Sequence, residues 1–258
     1  MRNIIAVAGK ELRAYFHSPI AYLVMTVYTV ACGFVFYSYV AIYLEDTFRM
    51  QMMGGAGGSS PSLNEYIIRP MLEGFLMVIL LFLLPLVSMR LYAEEKRSGT
   101  IELLLTSPLT DLQIILGKFL GTMALFGMLV VLTFFYIGLL FLYGNPNSKP
   151  VIASALGFIL YGGALLAIGM WISTFTRNQI IAGAVSMVAL LLLYVLVWVR
   201  DYATGPVGQF IANISLSSHI DNFAKGVIDL GDVCYYVSVI ALGIFFTARS
   251  VEALKGRP

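Results

Sequence analysis

Six long, nearly uncharged apolar runs constrain this chain more than anything else in it. They extend approximately over Ile20 to Leu44, Met71 to Met89, Lys118 to Tyr143, Val151 to Phe175, Ile180 to Val199 and Val233 to Ala248. A helix needs about 20 mainly apolar residues to cross a hydrocarbon core about 30 Å thick, and each run meets or approaches that length. A membrane β-barrel would instead show segments of about 10 residues with alternating hydropathy. Continuous runs read as helices, which satisfy their own backbone groups in lipid. Of 258 residues, 59% are hydrophobic and 12% charged, far from the roughly 25% charged of soluble domains. The expectation is an all-α integral membrane protein with six transmembrane helices, forming one transmembrane domain over residues 1–258.

The charges divide unevenly between the segments that join the runs. With the N-terminus placed inside, eleven Lys/Arg fall on inner segments; the other five, Arg49, Arg69, Lys149, Arg200 and Lys225, fall on outer ones. By the excess of positive charge on cytoplasmic loops, both termini and the segment 90–117 are cytoplasmic. The first run follows basic residues, as a signal peptide does, but it is about 25 residues long and lacks a clear cleavage site, so it reads as a span.

Residues 1–17 form an amphipathic elbow helix on the membrane surface. Met1, Ile4, Ile5, Ala8, Leu12, Tyr15 and Phe16 share one arc, with Arg2, Asn3, Lys10, Arg13 and His17 opposite. Ser18-Pro19 then turns the chain into the first span. On the outer side, Gly54 to Pro61 cannot form a packed element. The neighbouring Met50, Met52 and Met53 could bind copper(I) through soft thioethers or make irregular apolar contacts. Thr110-Asp111-Leu112-Gln113 has capping-box spacing, so a helix starts at Asp111 and runs about 50 Å to Tyr143. Gly117 and Gly121, and Gly157, Gly162, Gly163 and Gly169, let helices approach closely, within one subunit or between two. The outer segment 200–231 reads as short helices, with about two turns over His219 to Lys225. Asp229 to Asp232 supply acidic caps for a final span that looks only about 16 residues long, which suggests that part of the segment dips into the outer leaflet.

Several chemistries are excluded. No GxxxxGK[ST] phosphate loop occurs, so the chain does not itself hold ATP. HExxH and GxSxG are absent, His17 and His219 fall on opposite sides, and an enzyme active site is not indicated. Cys32 and Cys234 both lie in runs without CxxC or CxxH spacing, so no metal site is indicated. No basic arm points to nucleic acid. Glu73 is the one carboxylate within a run; near Arg69, it reads as ion-paired or as an outer-side contact. Pro85 should kink the helix that leads into the inner loop, by removing a backbone donor and crowding residue 81.

That inner loop carries the strongest functional signal. Glu94-Glu95-Lys96-Arg97-Ser98-Gly99-Thr100-Ile101-Glu102-Leu103-Leu104-Leu105-Thr106-Ser107-Pro108 is a charged island broken by Gly99. A short helix then follows, with Ile101, Leu104 and Leu105 on one face. Apolar side chains facing water imply a cover, here a cytosolic partner.

With Gly117-Lys118 and with Lys10-Glu11-Leu12 of the elbow helix, this pattern resembles the permease subunit of the ABC-2 type (type V) ABC transporters over essentially the whole chain. Asp221-Asn222-Phe223-Ala224-Lys225-Gly226-Val227-Ile228-Asp229 is similar to the GldF-like gliding-motility group. The resemblance implies a bacterial inner-membrane, non-catalytic subunit that works with two copies of an ATPase and a second permease subunit, homo- or heterodimeric. ATP and Mg would be held by the ATPase. It implies a coupling helix at Glu94, Glu95, Arg97, Gly99, Thr100, Glu102, Leu104, Leu105, Ser107 and Pro108, supported by Lys10, Glu11 and Arg13. For the gliding-motility group it also implies a larger membrane partner with a periplasmic domain. Two alternatives stay open: a copper-related maturation permease of the same fold, and a scaffold that anchors a cytosolic partner without transport.

Overall fold

A computed structural model of the chain describes residues 2–52, 62–105, 109–202, 205, 208, 211 and 213–255, all but 103–105, 199–202 and 255 with their side chains. Among the described residues every regular element is a helix, and six helices are long and apolar enough to cross a membrane.

The elbow helix α1 covers Arg2–His17. The backbone N–H of Ser18 still bonds to the Tyr15 carbonyl at 3.2 Å. Helix α2, Pro19–Met52, then starts on a proline, a residue suited to the first helical position because its missing donor would be unpaired there. It runs eight residues past Leu44, so the polar Glu45 to Met52 continue the helix, with an Arg49–Glu45 pair one turn apart.

The second span begins earlier than hydropathy indicates. It is helical from Asn64, through two π-helical turns, Asn64–Ile68 and Met71–Leu76, into α3, Met77–Ser88. The polar start is fixed from outside the helix. Asn64 Nδ2 donates to the Asn147 carbonyl at 3.0 Å, and the Asn147 N–H donates back to Asn64 Oδ1 at 2.8 Å. Pro85 lies inside α3, and Met89, whose N–H still bonds to the Pro85 carbonyl at 2.9 Å, joins α3 to α4, Arg90–Ser98. Gly99, at φ 73°, ends α4 in the left-handed region that glycine adopts without cost. Helix α5, Thr100–Leu105, follows.

Helix α6, Asp111–Tyr143, is capped as its sequence suggests, by the Thr110 side chain accepting from the Gln113 N–H at 3.3 Å. The reciprocal half of the capping box does not form, since Gln113 Oε1 is turned to Asn3 Nδ2 of α1. Helix α7, Ser148–Ser173, is the central post: Tyr161, Ala164, Leu165, Leu166, Ala167 and Met170 are fully buried. Its glycines are seats for neighbours within the chain. A Cβ on Gly157 would lie 2.7 Å from Phe223, and one on Gly162 would lie 2.2 Å from Phe126.

Helix α8, Gln179–Tyr202, is the fifth span; α9, Asp221–Ala224, is a single turn; and α10, Leu230–Lys255, is the last span. Two expectations change here. His219 to Lys225 gives one helical turn rather than two. The last span has 26 residues, not about 16, because polar residues such as Asp232 and Arg249 continue the helix where hydropathy falls. A dip of segment 200–231 is therefore not needed to complete that span.

The spans define two ends. One carries α1, α4, α5 and the base of α6; the other carries residues 62–73, the Asn147 turn, α9 and the start of α10. Exposed apolar side chains such as Val30, Val131, Ile180 and Leu192 lie on the outer faces of the spans, where lipid or another apolar surface is required.

Candidate functional site

At the charged end, the base of α6 is fitted against α1. Gly117 and Gly121 leave room for it: Cβ atoms there would sit 2.5 Å from Val7 Cβ and 2.8 Å from Glu11 Cβ. The small-residue pair therefore seats the elbow helix. Between them projects Lys118, whose side chain is 1% exposed. Its ammonium donates to Glu11 Oε1 of α1 at 2.8 Å, to Glu95 Oε1 of α4 at 2.7 Å, and to the Leu91 carbonyl at 3.0 Å. An ammonium has three donors, and all three are used. Its nitrogen also lies 5.3 Å from the Tyr92 ring centroid. One cation and two carboxylates leave the knot with a net charge of −1, next to Lys10 and Arg90 across a cleft of about 220 Å³. Glu95 Oε2 and the Tyr92 hydroxyl are buried with no protein partner.

A second fastening lies one turn along α1. The Tyr15 hydroxyl donates to the Val87 carbonyl at 2.8 Å, and the Arg90 guanidinium stacks over the Tyr15 ring at 4.9 Å. Burial pushes the Tyr15 phenol well above its usual range, so it stays a neutral donor. Arg90 in turn pairs with Glu94 at 3.1 Å. Lys96 reaches from α4 to the Thr174 carbonyl at the end of α7.

The island residues divide by exposure. Glu94, Arg97, Ser98, Gly99, Thr100 and Glu102 are exposed, and the Ser98 and Thr100 hydroxyls are 2.8 Å apart. Glu95 is turned inward to Lys118, and Ile101 is partly buried against the core. Only the backbone of Leu104 and Leu105 is described, and Ser107 and Pro108 lie outside the described residues. On α1, Lys10 and Arg13 are exposed while Glu11 is held inside. Lys118 was visible in sequence only as a basic residue beside a glycine; neither its burial nor its link to two carboxylates has a local signature.

The opposite end carries a second network. Arg69 bonds to Glu73 at 3.0 Å, to Glu65 at 3.2 Å and to Asp221 at 2.5 Å, and Lys225 pairs with Asp221 at 2.5 Å. Partial burial draws the Asp221 carboxyl upward, but Lys225 and Arg69 outweigh it and hold it below the usual carboxylate range. His219 lies 2.6 Å from Asp232, stacks on Tyr235, and shares Asp232 with Asn222. The ion-paired reading of Glu73 agrees with this geometry; Asp221, His219 and Asp232 were not linked by sequence. Met50 and Met52 are exposed near the end of α2, and Met53 lies outside the described residues. Among the described residues no group of three or more His, Cys, Asp or Glu could hold a metal ion.

The family model described as ABC-2 family transporter protein matches residues 5–223, from the elbow helix through five spans to α9. A search of curated proteins gives no match. By this match and its six membrane-spanning helices, the chain belongs to the ABC-2 transporter family, as a multi-pass membrane permease component and not the ATPase itself.

Proposed function

We propose that the chain is the membrane permease of an ATP-driven exporter or force-transmitting complex, worked by a separate ATPase that docks on Glu94 to Pro108. The Lys118 knot carries this reading. It joins α4 to both α1 and the base of α6, so a push on the exposed side of α4 and α5 is delivered to the second and third spans together. Glu94, Arg97, Gly99, Thr100 and Glu102, all exposed, present the docking face, and the resemblance adds Leu104 and Leu105 to it. Glu95, Glu11 and Lys118 act behind it.

Two ATPase copies would bind below two permease subunits, with ATP and Mg held between the ATPases. Docking helices on an approaching ATPase pair meet different contacts in its open and closed states, which is what a ligand-driven shift requires. The excess of Lys/Arg supports placing the island and both termini in the cytoplasm of a bacterial inner membrane. The similarity of the 221–229 run to the GldF-like group supports a role of that kind with a larger extracytoplasmic partner. Exposed Met50 and Met52 are what favour the copper-related alternative.

The test is ATPase rate in proteoliposomes holding the chain and the ATPase encoded beside it. Glu102→Arg should remove the permease-dependent part of the rate while the helical circular-dichroism signal and melting temperature stay unchanged. A rate equal to wild type rejects coupling through this face. An ATPase rate indifferent to the permease altogether supports the scaffold alternative instead.

A further inference from the structure

We propose that the groove at the elbow between α1 and α2 seats an acyl chain of one phospholipid, whose phosphodiester is held by Arg13. The groove encloses about 420 Å³ between Phe16 of α1, Tyr22, Met25, Thr26 and Val30 of α2, and Leu132 of α6. This is within the roughly 300–1,000 Å³ of small-molecule sites. All six side chains are exposed or half-buried, so each wall is open to an occupant. The groove lies between two points where the chain is tied to α6. Before the elbow, the Tyr15 hydroxyl lies 3.5 Å from Thr122 Oγ1; beyond it, the Tyr28 hydroxyl lies 2.6 Å from Thr133 Oγ1. Between these ties Ser18-Pro19 turns the chain, and Phe16 meets Tyr22 edge to face across the turn, with ring centroids 5.8 Å apart.

The surroundings decide what fills it. Tyr22, Leu23, Val27 and Val30 are exposed apolar side chains on a helix long and apolar enough to cross a membrane. The groove therefore opens toward lipid, where no water is at hand to occupy it. Its lining carries no charge, and the Thr29 hydroxyl at its edge is already bonded to the Met25 carbonyl at 2.7 Å. A polar ligand would give up its hydrogen bonds on entering, whereas a hydrocarbon chain gives up none.

Charge lies at one end only. Arg13 is exposed and stands three residues before Phe16 on α1, a spacing that brings Cβ atoms on one helix face to about 5–6 Å. His17, also exposed, follows Phe16, with its Nδ1 2.7 Å from the Arg13 carbonyl. Glu11, the single acid of α1, is turned inward to Lys118, so nothing on that helix neutralises Arg13. An apolar groove with a guanidinium at its mouth matches an amphiphile with an anionic head. The bilayer supplies one as phospholipid, and a guanidinium binds phosphate oxygens in pairs. The site stands independently of the permease reading and of which side the termini occupy, since binding needs neither an ATPase nor a transport cycle.

The test is photolabelling of the full-length chain in neutral detergent with two probes: a phosphatidylglycerol bearing a diazirine midway along one acyl chain, and the diacylglycerol with the same chain. Labelled residues are located by mass spectrometry. Saturable labelling over Tyr22 to Val30 and at Leu132 is expected, with the phospholipid half-saturating at about tenfold lower concentration, as a charge-assisted hydrogen bond entails. Arg13→Gln should bring the phospholipid to the level of the diacylglycerol and leave the diacylglycerol unchanged, a split that loss of the fold would not give. Thr26→Trp, at an exposed position, fills the groove and should abolish saturable labelling by both probes at unchanged melting temperature. Equal half-saturation for the two probes, wild-type labelling in Thr26→Trp, or labelling spread evenly along the exposed faces of α8 and α10 would overturn the proposal. Labelling of a monomer fraction with none in a dimer fraction would also overturn it, assigning the groove to a second copy of the chain.

Discussion

An ammonium taken out of water costs several kcal/mol, and Lys118 recovers that through two carboxylates and a carbonyl, all within 3.0 Å. Removing the cation alone strands Glu11 and Glu95. Lys118→Met should therefore destabilise the chain by about 3–5 kcal/mol, the usual result of breaking one side of a buried pair. Adding Glu11→Gln and Glu95→Gln to Lys118→Met should recover a large part of the lost melting temperature, because neutral amides tolerate the same site. Thermal melting of the purified protein in detergent checks both variants, and a single variant as stable as wild type would show that the knot is solvated. No spacing rule joins residues 11, 95 and 118. Each was readable as a charge near the inner membrane surface, and only packing shows which charges meet.

Helix lengths and faces follow local rules, so much of the element scale was legible. The elbow helix, the Thr110 cap and the glycine seams are set by residues within a turn of one another. Ends were misjudged where a polar stretch continues a helix, as in Glu45 to Met52, Asn64 to Pro70 and Arg249 to Lys255. Hydropathy marks the lipid core and says nothing of a helix that continues beyond it. The π-helical turns on either side of Pro70 were equally hidden, since they are held by Asn147 and Asp221, distant in sequence. At Gly162 the helix surface is filled by Phe126, and a side chain there has nowhere to go. Gly162→Val should cost about 1–3 kcal/mol through overpacking, read as a lower melting temperature. Phe126→Leu in the same chain should restore part of that loss, whereas full tolerance of Gly162→Val would mean that α6 and α7 are not close-packed.

For the whole molecule, the chain order of six spans puts α1, the island and the end of α10 at one face of the membrane, with residues 62–73 and α9 at the other. In a Cys234→Ser background, Arg97→Cys in intact cells should be shielded from a membrane-impermeant maleimide and labelled after permeabilisation, while Lys225→Cys should label in both. The reverse pattern would invert the topology. Membrane class and family were readable from the sequence because both rest on continuous runs and one contiguous motif. The outer ion-pair network was not, because Arg69 on the second span and Asp221 on α9 are 152 residues apart in sequence. The Lys118 knot also orders the chain in time. Synthesis runs from the N-terminus, so Glu11 and Glu95 are made before the cation that neutralises them. Until the third span emerges, the elbow helix and the second span carry uncompensated carboxylates. Final docking of the N-terminal helix is thus a late event of membrane insertion, gated by the arrival of a single lysine.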